Sequence, residues 1–225
     1  MKIKIGIALM ILGFVLMAVV AGWNLYLKNE EATAESEANA ALPEVLAAME
    51  MEAEGVFTQP SPSPLPKETS AAESIPPPSE MQPDEPIPAP QPTMKVVYAK
   101  NKPYVGTLQI PSLGLNLPIQ AQWSYKKLKH TPCHYSGTAE GGDLVLIAHN
   151  YRSHFGRLKD LPVGATIIFT DAEGEVFTYA VDVHETLPPN QNGYLTAGDW
   201  DLSLSTCTVG GAMREVVRCT LVSAP

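Results

Sequence analysis

Residues 201–222 read DLSLSTCTVGGAMREVVRCTLV and contain two of the short apolar runs that determine the fold class. The first run is DLSLSTCTV (201–209) and the second is REVVRCTLV (214–222), with two glycines between them. Six further runs of this kind precede them from residue 104 onward: YVGTLQIP, LNLPIQA, CHYSGT, GDLVLIAH, ATIIFTD and VFTYAVDVHETL. Eight short runs with Gly, Pro, Asn or Asp between them predict an all-β barrel or sandwich.

Two local patterns refine this prediction. Asp171-Ala172-Glu173-Gly174 lies between two apolar runs and predicts a hairpin turn, because Gly174 can adopt a positive φ. Ser153–Leu161 is the one segment of this region typical of a short helix, with Ser153 as its N-cap. The 130 residues of 96–225 suffice for one hydrophobic core, so we expect them to fold as a single domain.

The amino-terminal segment is predicted to anchor the chain in a membrane. Ile5–Leu27 comprises 23 uncharged residues, and a helix of that length spans about 34 Å, enough to cross a hydrocarbon core of about 30 Å. Lys2 and Lys4 precede it, which keeps residues 1–4 in the cytoplasm. The alternative is a cleaved signal peptide, whose apolar core is usually only about 7–15 residues long. Under both interpretations the rest of the chain is extracytoplasmic.

Residues 28–95 are predicted to form a disordered linker. They carry thirteen acidic and three basic side chains, and twelve of the 21 prolines lie in Pro60–Pro92. Dense proline removes backbone donors and favours extended polyproline II. Alanine and glutamate dominate 30–54, but Pro43 and the lack of an apolar stripe argue against a packed helix there. We expect a solvated spacer that holds the folded domain away from the membrane, with a ligand for a proline-binding module as the alternative.

The net charge of −9 arises almost entirely in that linker, since residues 96–225 carry eleven acidic and ten basic side chains. Nucleic-acid binding requires a basic patch, and the sequence of this domain contains none. It also contains no HExxH or CxxC motif and no Gly-rich phosphate loop. We therefore predict no nucleic-acid partner and no cofactor.

Three cysteines, an odd number, leave at least one thiol unpaired within the chain. In the predicted strand 202–207 the leucines share one face, so Cys207 lies at the strand end on the polar face, where a substrate can reach it. Cys219 alternates with the arginines of its run and is predicted to lie in the core. We expect Cys133 and Cys219 to be reduced, because a disulfide beside a reactive thiolate risks exchange with Cys207.

The residues around Cys207 resemble the motifs of the sortase family. Ser203–Cys207 (SLSTC) is similar to the TLxTC signature that carries the sortase nucleophile, and Arg214 follows seven residues later in REVVR. Val145–Asn150 (VLIAHN) resembles the strand that ends in the sortase histidine, with Ile-Ala in place of the usual Ala-Gly. GTLQIPSLGLNLPI (106–119) resembles the first two strands of a sortase barrel. The resemblance covers roughly residues 100–222.

The resemblance implies an eight-stranded β-barrel with a short helix and the activity of a cysteine transpeptidase. It assigns Cys207 as the nucleophile, His149 as the general acid and Arg214 as the group that stabilises the oxyanion. The implied substrates are LPxTG-like sorting signals of surface proteins, with an amine of a cell-wall precursor or another protein as acceptor, at the membrane of a Gram-positive cell. The other histidines and the second arginine of REVVR are expected at the surface or at strand ends: His130, His134, His154, His184 and Arg218.

Two other functions remain open, namely a cysteine protease that hydrolyses the acyl-enzyme and a non-catalytic, membrane-tethered binding module. The order of His149 before Cys207 argues against a papain-like protease. Some sortases bind calcium through acidic loops, and oxygen ligands suit calcium. Glu140, Asp143 and Glu185 lie in comparable loops, although scattered acids are usually solvated. The sequence assigns no sortase class.

Overall fold

A computed structural model describes residues 2–53, 94–189, 192–208 and 210–225 of the chain. The Pro-rich stretch 59–92, predicted to be extended polyproline II, lies outside the described residues. The helices and strands are α1 Lys2–Ala53, β1 Val97–Ala99, β2 Lys102–Ile110, β3 Leu115–Gln120, α2 Tyr125–Leu128, β4 Cys133–Ser136, β5 Leu144–Ile147, β6 Thr166–Asp171, β7 Val176–Leu187, β8 Leu202–Cys207 and β9 Arg214–Ser223. Short 3₁₀ turns occur at Pro111–Leu113, Leu158–Asp160 and Asn192–Tyr194.

Strands β2 to β9 form a closed barrel of eight strands. Neighbouring strands follow the order β2-β3-β4-β5-β8-β9-β7-β6, and β6 pairs with β2 to complete the circle. The β3–β4 and β5–β8 pairs are parallel, and the other pairs are antiparallel. Strand β1 lies outside the circle and pairs with the start of β2. The predicted eight-stranded barrel with a short helix is confirmed, and each of the eight predicted runs overlaps one barrel strand.

Gly106 is the residue at which β2 begins to pair with two neighbouring strands. From this residue onward β2 pairs with β6 as well as with β3, and its register with β3 shifts at the same point. The φ of Gly106 is +146°, and a Cβ atom here would lie 2.0 Å from the carbonyl oxygen of Thr170. Only glycine allows two backbones to approach so closely. The barrel therefore closes at this residue.

The two faces of the strands near Cys207 have different neighbours. Alternating positions such as Leu146, Leu202 and Leu204 are fully buried inside the barrel, as the period of a strand requires. On the outer face, Leu195 of the loop between β7 and β8 packs against Val145 and Val216. This loop therefore covers the outer face of β5, β8 and β9.

The predicted helix at Ser153–Leu161 is wrong. The chain forms tight turns there and one 3₁₀ turn at Leu158–Asp160. A Cβ atom at Gly156 would lie 2.3 Å from the carbonyl oxygen of Asn150, so the chain doubles back too tightly for an α-helix. The short helix of the barrel is instead α2, whose N-cap Ser124 accepts a hydrogen bond from the Lys127 amide.

The structure differs from the predicted disordered linker over residues 28–53, because α1 continues without a break to Ala53. One face of this half of the helix packs on the barrel through residues spaced three or four apart, and small side chains allow close approach there: Ala34, Ala38, Ala41, Val45 and Met49. Ala41, Val45 and Met49 pack against Val97 and Ala99 of β1 and against Tyr104 of β2. Pro43 lies on the exposed face. Most of the buried residues on this face are alanines, so the sequence lacks the large apolar side chains that usually mark the packed face of a helix.

The first half of α1 is exposed from Met10 onward and contains a window long and apolar enough to cross a membrane. Trp23 and Tyr26 lie at the end of this window with their rings 6.0 Å apart. Aromatic rings of this kind favour the boundary between lipid and water. The predicted single-pass anchor at residues 5–27 is therefore consistent with helix α1.

Candidate active site

Cys207 and Arg214 face each other at the ends of two adjacent strands. They are direct partners in the antiparallel register of β8 and β9. The Arg214 Nη1 donates a hydrogen bond to the Cys207 Sγ at 2.8 Å. A guanidinium carries a permanent positive charge and presents planar donors. The pair therefore combines a nucleophilic sulfur with a fixed cation.

His149 reaches the same place through the parallel pairing of β5 with β8. Ile147 is the register partner of Ser205, and the ladder continues through a hydrogen bond from the Ala148 amide to the Ser205 carbonyl at 3.1 Å. Two residues further along the chain from Ile147 and Ser205 are His149, just beyond the end of β5, and Cys207, the last residue of β8. The buried Thr206 hydroxyl donates to the Ala148 carbonyl at 3.0 Å and fixes the β5 end against β8.

The imidazole of His149 is held by a ring stack. It lies against the Tyr151 ring with centroids 4.1 Å apart and planes inclined by 15°. Burial lowers the pKa of His149 below its ordinary value. Its Nδ1 atom is buried and has no hydrogen-bond partner among the described residues. The ring is thus oriented mainly by packing.

Cys207, His149 and Arg214 line one pocket with a volume of about 210 Å³. One wall comes from α2 and the residues flanking it: Trp123, Tyr125, Leu128 and Lys129. The remaining residues that line the pocket are mainly apolar and include Tyr135, Ile147 and Leu195. The structure therefore brings together all three residues singled out in the sequence, at the rim of an apolar groove.

The other two cysteines are unsuited to chemistry. Cys133 and Cys219 are fully buried, and burial raises the pKa of each thiol to about 12. All three cysteines are free thiols, and Cys219 lies in the core as predicted. Cys207 is half-buried and lines the pocket. It is therefore the thiol within reach of a substrate.

Arg218 was expected at the surface, and this prediction is wrong. Only 3% of the residue is exposed. Its Nε pairs with the Glu185 carboxylate at 2.7 Å, and its Nη1 donates to the Ser203 hydroxyl at 2.8 Å and to the Leu195 carbonyl at 2.9 Å. Arg218 therefore ties the pocket-lining loop that contains Leu195 to the barrel wall. Strand alternation places Arg218 on the same face as Val216, but it does not show that the β7–β8 loop covers this face.

The structure separates the acids considered for calcium. The Glu185 carboxylate forms a salt bridge with Arg218. One Asp143 carboxylate oxygen accepts a hydrogen bond from the Thr138 amide. Within the described ranges, no three His, Cys, Asp or Glu side chains come together as metal ligands. The three residues do not fit a shared calcium site.

His154 was expected at the surface or a strand end, and this too is wrong, because the side chain is fully buried. Its ring lies 5.6 Å from that of Tyr151, and neither ring nitrogen has a partner among the described residues. Burial, reinforced by the nearby His149, lowers the pKa of His154 to about 4. His154 therefore supports the His149–Tyr151 stack from behind in its neutral form.

This burial predicts acid lability that depends on His154. The unfolded chain takes up a proton below about pH 6.5, but the folded protein does so only near pH 4. The free energy of unfolding should therefore fall by about 3 kcal/mol as the pH drops from 6.5 to 4. His154→Leu should lose this part of the pH dependence, measured by thermal unfolding of the full chain followed by near-UV circular dichroism. Equal pH slopes for both proteins would contradict the prediction.

The sequence and the fold are similar to those of known proteins. A family model described as the Sortase domain matches residues 108–222, just over half of the chain. Among solved structures, sortase A from Corynebacterium diphtheriae has a TM-score of 0.50 and 26% identity, covering 54% of this chain and 62% of that one. Sortase C1 from Streptococcus agalactiae has a TM-score of 0.48 and 30% identity, covering 53% and 68%. The chain thus spans less than two thirds of the Corynebacterium protein. No curated protein matches the sequence.

Proposed function

The chain belongs to the sortase family, and we propose that it is a membrane-anchored cysteine transpeptidase. Its substrate is an LPxTG-like sorting signal, and its acceptor is an amine of the cell wall or of another surface protein. The observation that carries this proposal is the 2.8 Å hydrogen bond between Arg214 Nη1 and Cys207 Sγ, in a pocket that His149 also lines.

The first half of the reaction forms an acyl-enzyme. The Cys207 thiolate attacks the carbonyl carbon of the Thr-like residue, and the carbonyl electrons move onto oxygen. Arg214 stabilises this oxyanion because its guanidinium is already fixed beside the sulfur. His149, as an imidazolium, gives a proton to the leaving amine as the C–N bond breaks. The products are a thioester on Cys207 and the released carboxy-terminal peptide.

The second half transfers the acyl group. Neutral His149 takes a proton from the incoming amine, which attacks the thioester carbonyl. Burial lowers its pKa and so favours the neutral ring that accepts this proton, and the imidazolium formed here starts the next cycle. Collapse of the second oxyanion breaks the C–S bond and returns the thiolate. The net change exchanges one amide for another, so no cofactor is needed.

The pocket wall supports a peptide with apolar residues before the scissile bond. Trp123 and Tyr135 lie with their rings 5.9 Å apart, and Ile147 and Leu195 extend the apolar lining. Apolar side chains such as the Leu and Pro of an LPxTG-like signal gain free energy by leaving water for such a surface. The Arg218 hydrogen bonds to the Leu195 and Tyr194 carbonyls of the β7–β8 loop favour a groove that is formed before the substrate arrives.

Transfer to an amine is the outcome that tests this function. The full chain in detergent is incubated with a fluorescent LPxTG-type peptide and increasing triglycine or other primary amines. We expect amide product to increase with amine concentration while free acid decreases, as measured by mass spectrometry. Free acid alone at saturating amine would indicate a hydrolase. Failure of iodoacetamide to label Cys207 at neutral pH, together with no cleavage, would instead favour a binding module.

A further inference from the structure

Helix α1 contacts the barrel at points that follow one another along the helix axis. Glu30 pairs with Lys129 at 3.0 Å, Glu37 with His130 at 2.7 Å, and Glu44 with Lys100 at 2.9 Å. At the end of the helix, the Ala53 Cβ lies 4.0 Å from the position of a Cβ on Gly174. With a rise of about 1.5 Å per residue, these contacts lie about 5, 15, 25 and 39 Å beyond Leu27, the end of the apolar run.

The contacts nearest the apolar run belong to the active site. Lys129, which lines the pocket, shares the Glu30 Oε1 with the hydroxyl of Tyr26, at 3.0 and 2.9 Å. The Glu31 Oε1 accepts a hydrogen bond from the amide of Arg152, three residues after His149. The pocket therefore lies at the end of the barrel closest to the apolar run, and the β6–β7 turn lies at the far end.

The barrel segment at this near end has the composition of a membrane-contacting surface. Residues 121–132 (AQWSYKKLKHTP) include three lysines and no acid. Trp123 is 41% and Tyr125 is 75% exposed, and the Lys126 side chain is exposed beside them, whereas Lys129 is paired with Glu30. Tryptophan and tyrosine favour the lipid–water boundary, and lysines favour an anionic headgroup layer. The composition of this surface and its closeness to the apolar run of α1 both indicate contact with a membrane.

The described residues on either side of 54–93 lie at the opposite end of the barrel. Ala53, before this segment, lies beside Gly174. Lys95, after it, forms an ion pair with Glu173. A segment that leaves and returns at one turn cannot set the distance between the barrel and the anchor. Among the described residues, the direct connection between the apolar run and the barrel contacts is the continuous helix from Leu27 to Glu30.

We propose that the second half of α1 holds the α2 wall of the pocket, Trp123–Lys129, against the headgroup layer of an anionic bilayer. The headgroup layer is about 5–8 Å thick, which matches the position of Glu30. Resting on the proposed transpeptidase function, the inference specifies its substrate as a peptide whose scissile bond lies within about 10 Å of the same membrane. The expected spacer role of the linker is thereby replaced by a fixed, short distance.

The distance between the α2 wall of the pocket and the bilayer can be measured in a catalytically inactive variant. The full chain carrying Cys207→Ala is inserted into nanodiscs of phosphatidylcholine and phosphatidylglycerol, and a donor dye is attached to Lys126→Cys or, as the matched control, to Glu175→Cys. Energy transfer to headgroup-labelled lipid should place residue 126 about 30 Å closer to the bilayer than residue 175. Spin-labelled lipid headgroups should quench the dye only at residue 126. Equal distances at both positions, or no quenching at residue 126, would overturn the proposal.

The substrate claim is tested with an insertion in active enzyme. Seven alanines between Leu27 and Lys28 move the barrel outward by about 10 Å with nearly the same helical phase. Cleavage of a free peptide should stay within twofold, whereas cleavage of a membrane-anchored peptide should fall at least tenfold and recover when its own spacer is lengthened. The same seven alanines inserted after Gln59 should change neither rate. An effect of the second insertion alone would contradict the proposal, whereas a wild-type protein inert toward all peptides would contradict only the proposed function.

Discussion

Cys207→Ala is expected to abolish both peptide cleavage and amide formation, with a loss of at least about 10⁴-fold in rate. The reaction requires a sulfur nucleophile at the end of β8, and the other two thiols are fully buried with pKa values raised to about 12. Neither can replace Cys207 in the pocket. The rate is measured by chromatography of a labelled LPxTG-type peptide.

Cys133→Ala is the matched control for this variant. It removes a thiol of the same domain from β4, outside the pocket lining. We expect it to keep the wild-type rate within a few fold when thermal unfolding shows that it is folded at the assay temperature. A Cys207→Ala protein that retains one tenth of the wild-type rate would remove Cys207 from the role of nucleophile.

His149→Ala and Arg214→Ala are each expected to lose at least about 10²-fold in kcat/KM. Loss of His149 leaves the leaving amine without an acid, and loss of Arg214 removes the cation placed 2.8 Å from the sulfur. Arg214→Lys should recover only part of the rate, because an ammonium lacks the planar pair of donors. The rates are compared by the same chromatographic assay at saturating amine.

His130→Ala and Arg152→Ala serve as controls. The His130 Nδ1 lies 2.7 Å from a Glu37 carboxylate oxygen at the surface, and surface contacts of this kind contribute little to stability. Arg152 contributes its backbone amide to the contact with Glu31, which the substitution preserves. Both should stay within twofold of wild type on a free peptide. If either matched the loss of His149→Ala, the assignment of the acid would be wrong. His154 is unsuitable as a control because its ring is buried behind Tyr151.

The strands of the barrel could be predicted because their sequence carries the required information locally. Leu202 and Leu204 alternate with Ser203 and Ser205, and punctuation by Gly, Pro, Asn and Asp separates the runs. The Asp171–Gly174 hairpin was confirmed for the same reason: Gly174 adopts φ +85° in the turn. The meeting of His149, Cys207 and Arg214 in one pocket followed from the motifs, since Cys207 ends β8, Arg214 begins β9 and His149 lies two residues after the end of β5.

The features that were missed depend on contacts between distant segments. Ala34 and Ala38 are too small to mark an apolar face, and their burial depends on the barrel surface they meet. The buried charge of Arg218 requires Glu185 on β7 and two carbonyls of the β7–β8 loop, which strand alternation does not reveal. Gly156 enforces a turn at the predicted helix through a close approach to Asn150. In each case tertiary packing overrides the local pattern.

The most direct test of the central claim is the intact mass of the enzyme during turnover. The full chain is mixed with excess LPxTG-type peptide in the absence of amine, quenched in acid and weighed. The account predicts an adduct equal to the peptide's acyl fragment, located on Cys207 by fragmentation, removed by hydroxylamine and missing in Cys207→Ala. Cleavage accompanied by an adduct on another residue, or by an unmodified Cys207 that stays fully open to alkylation, would contradict the account.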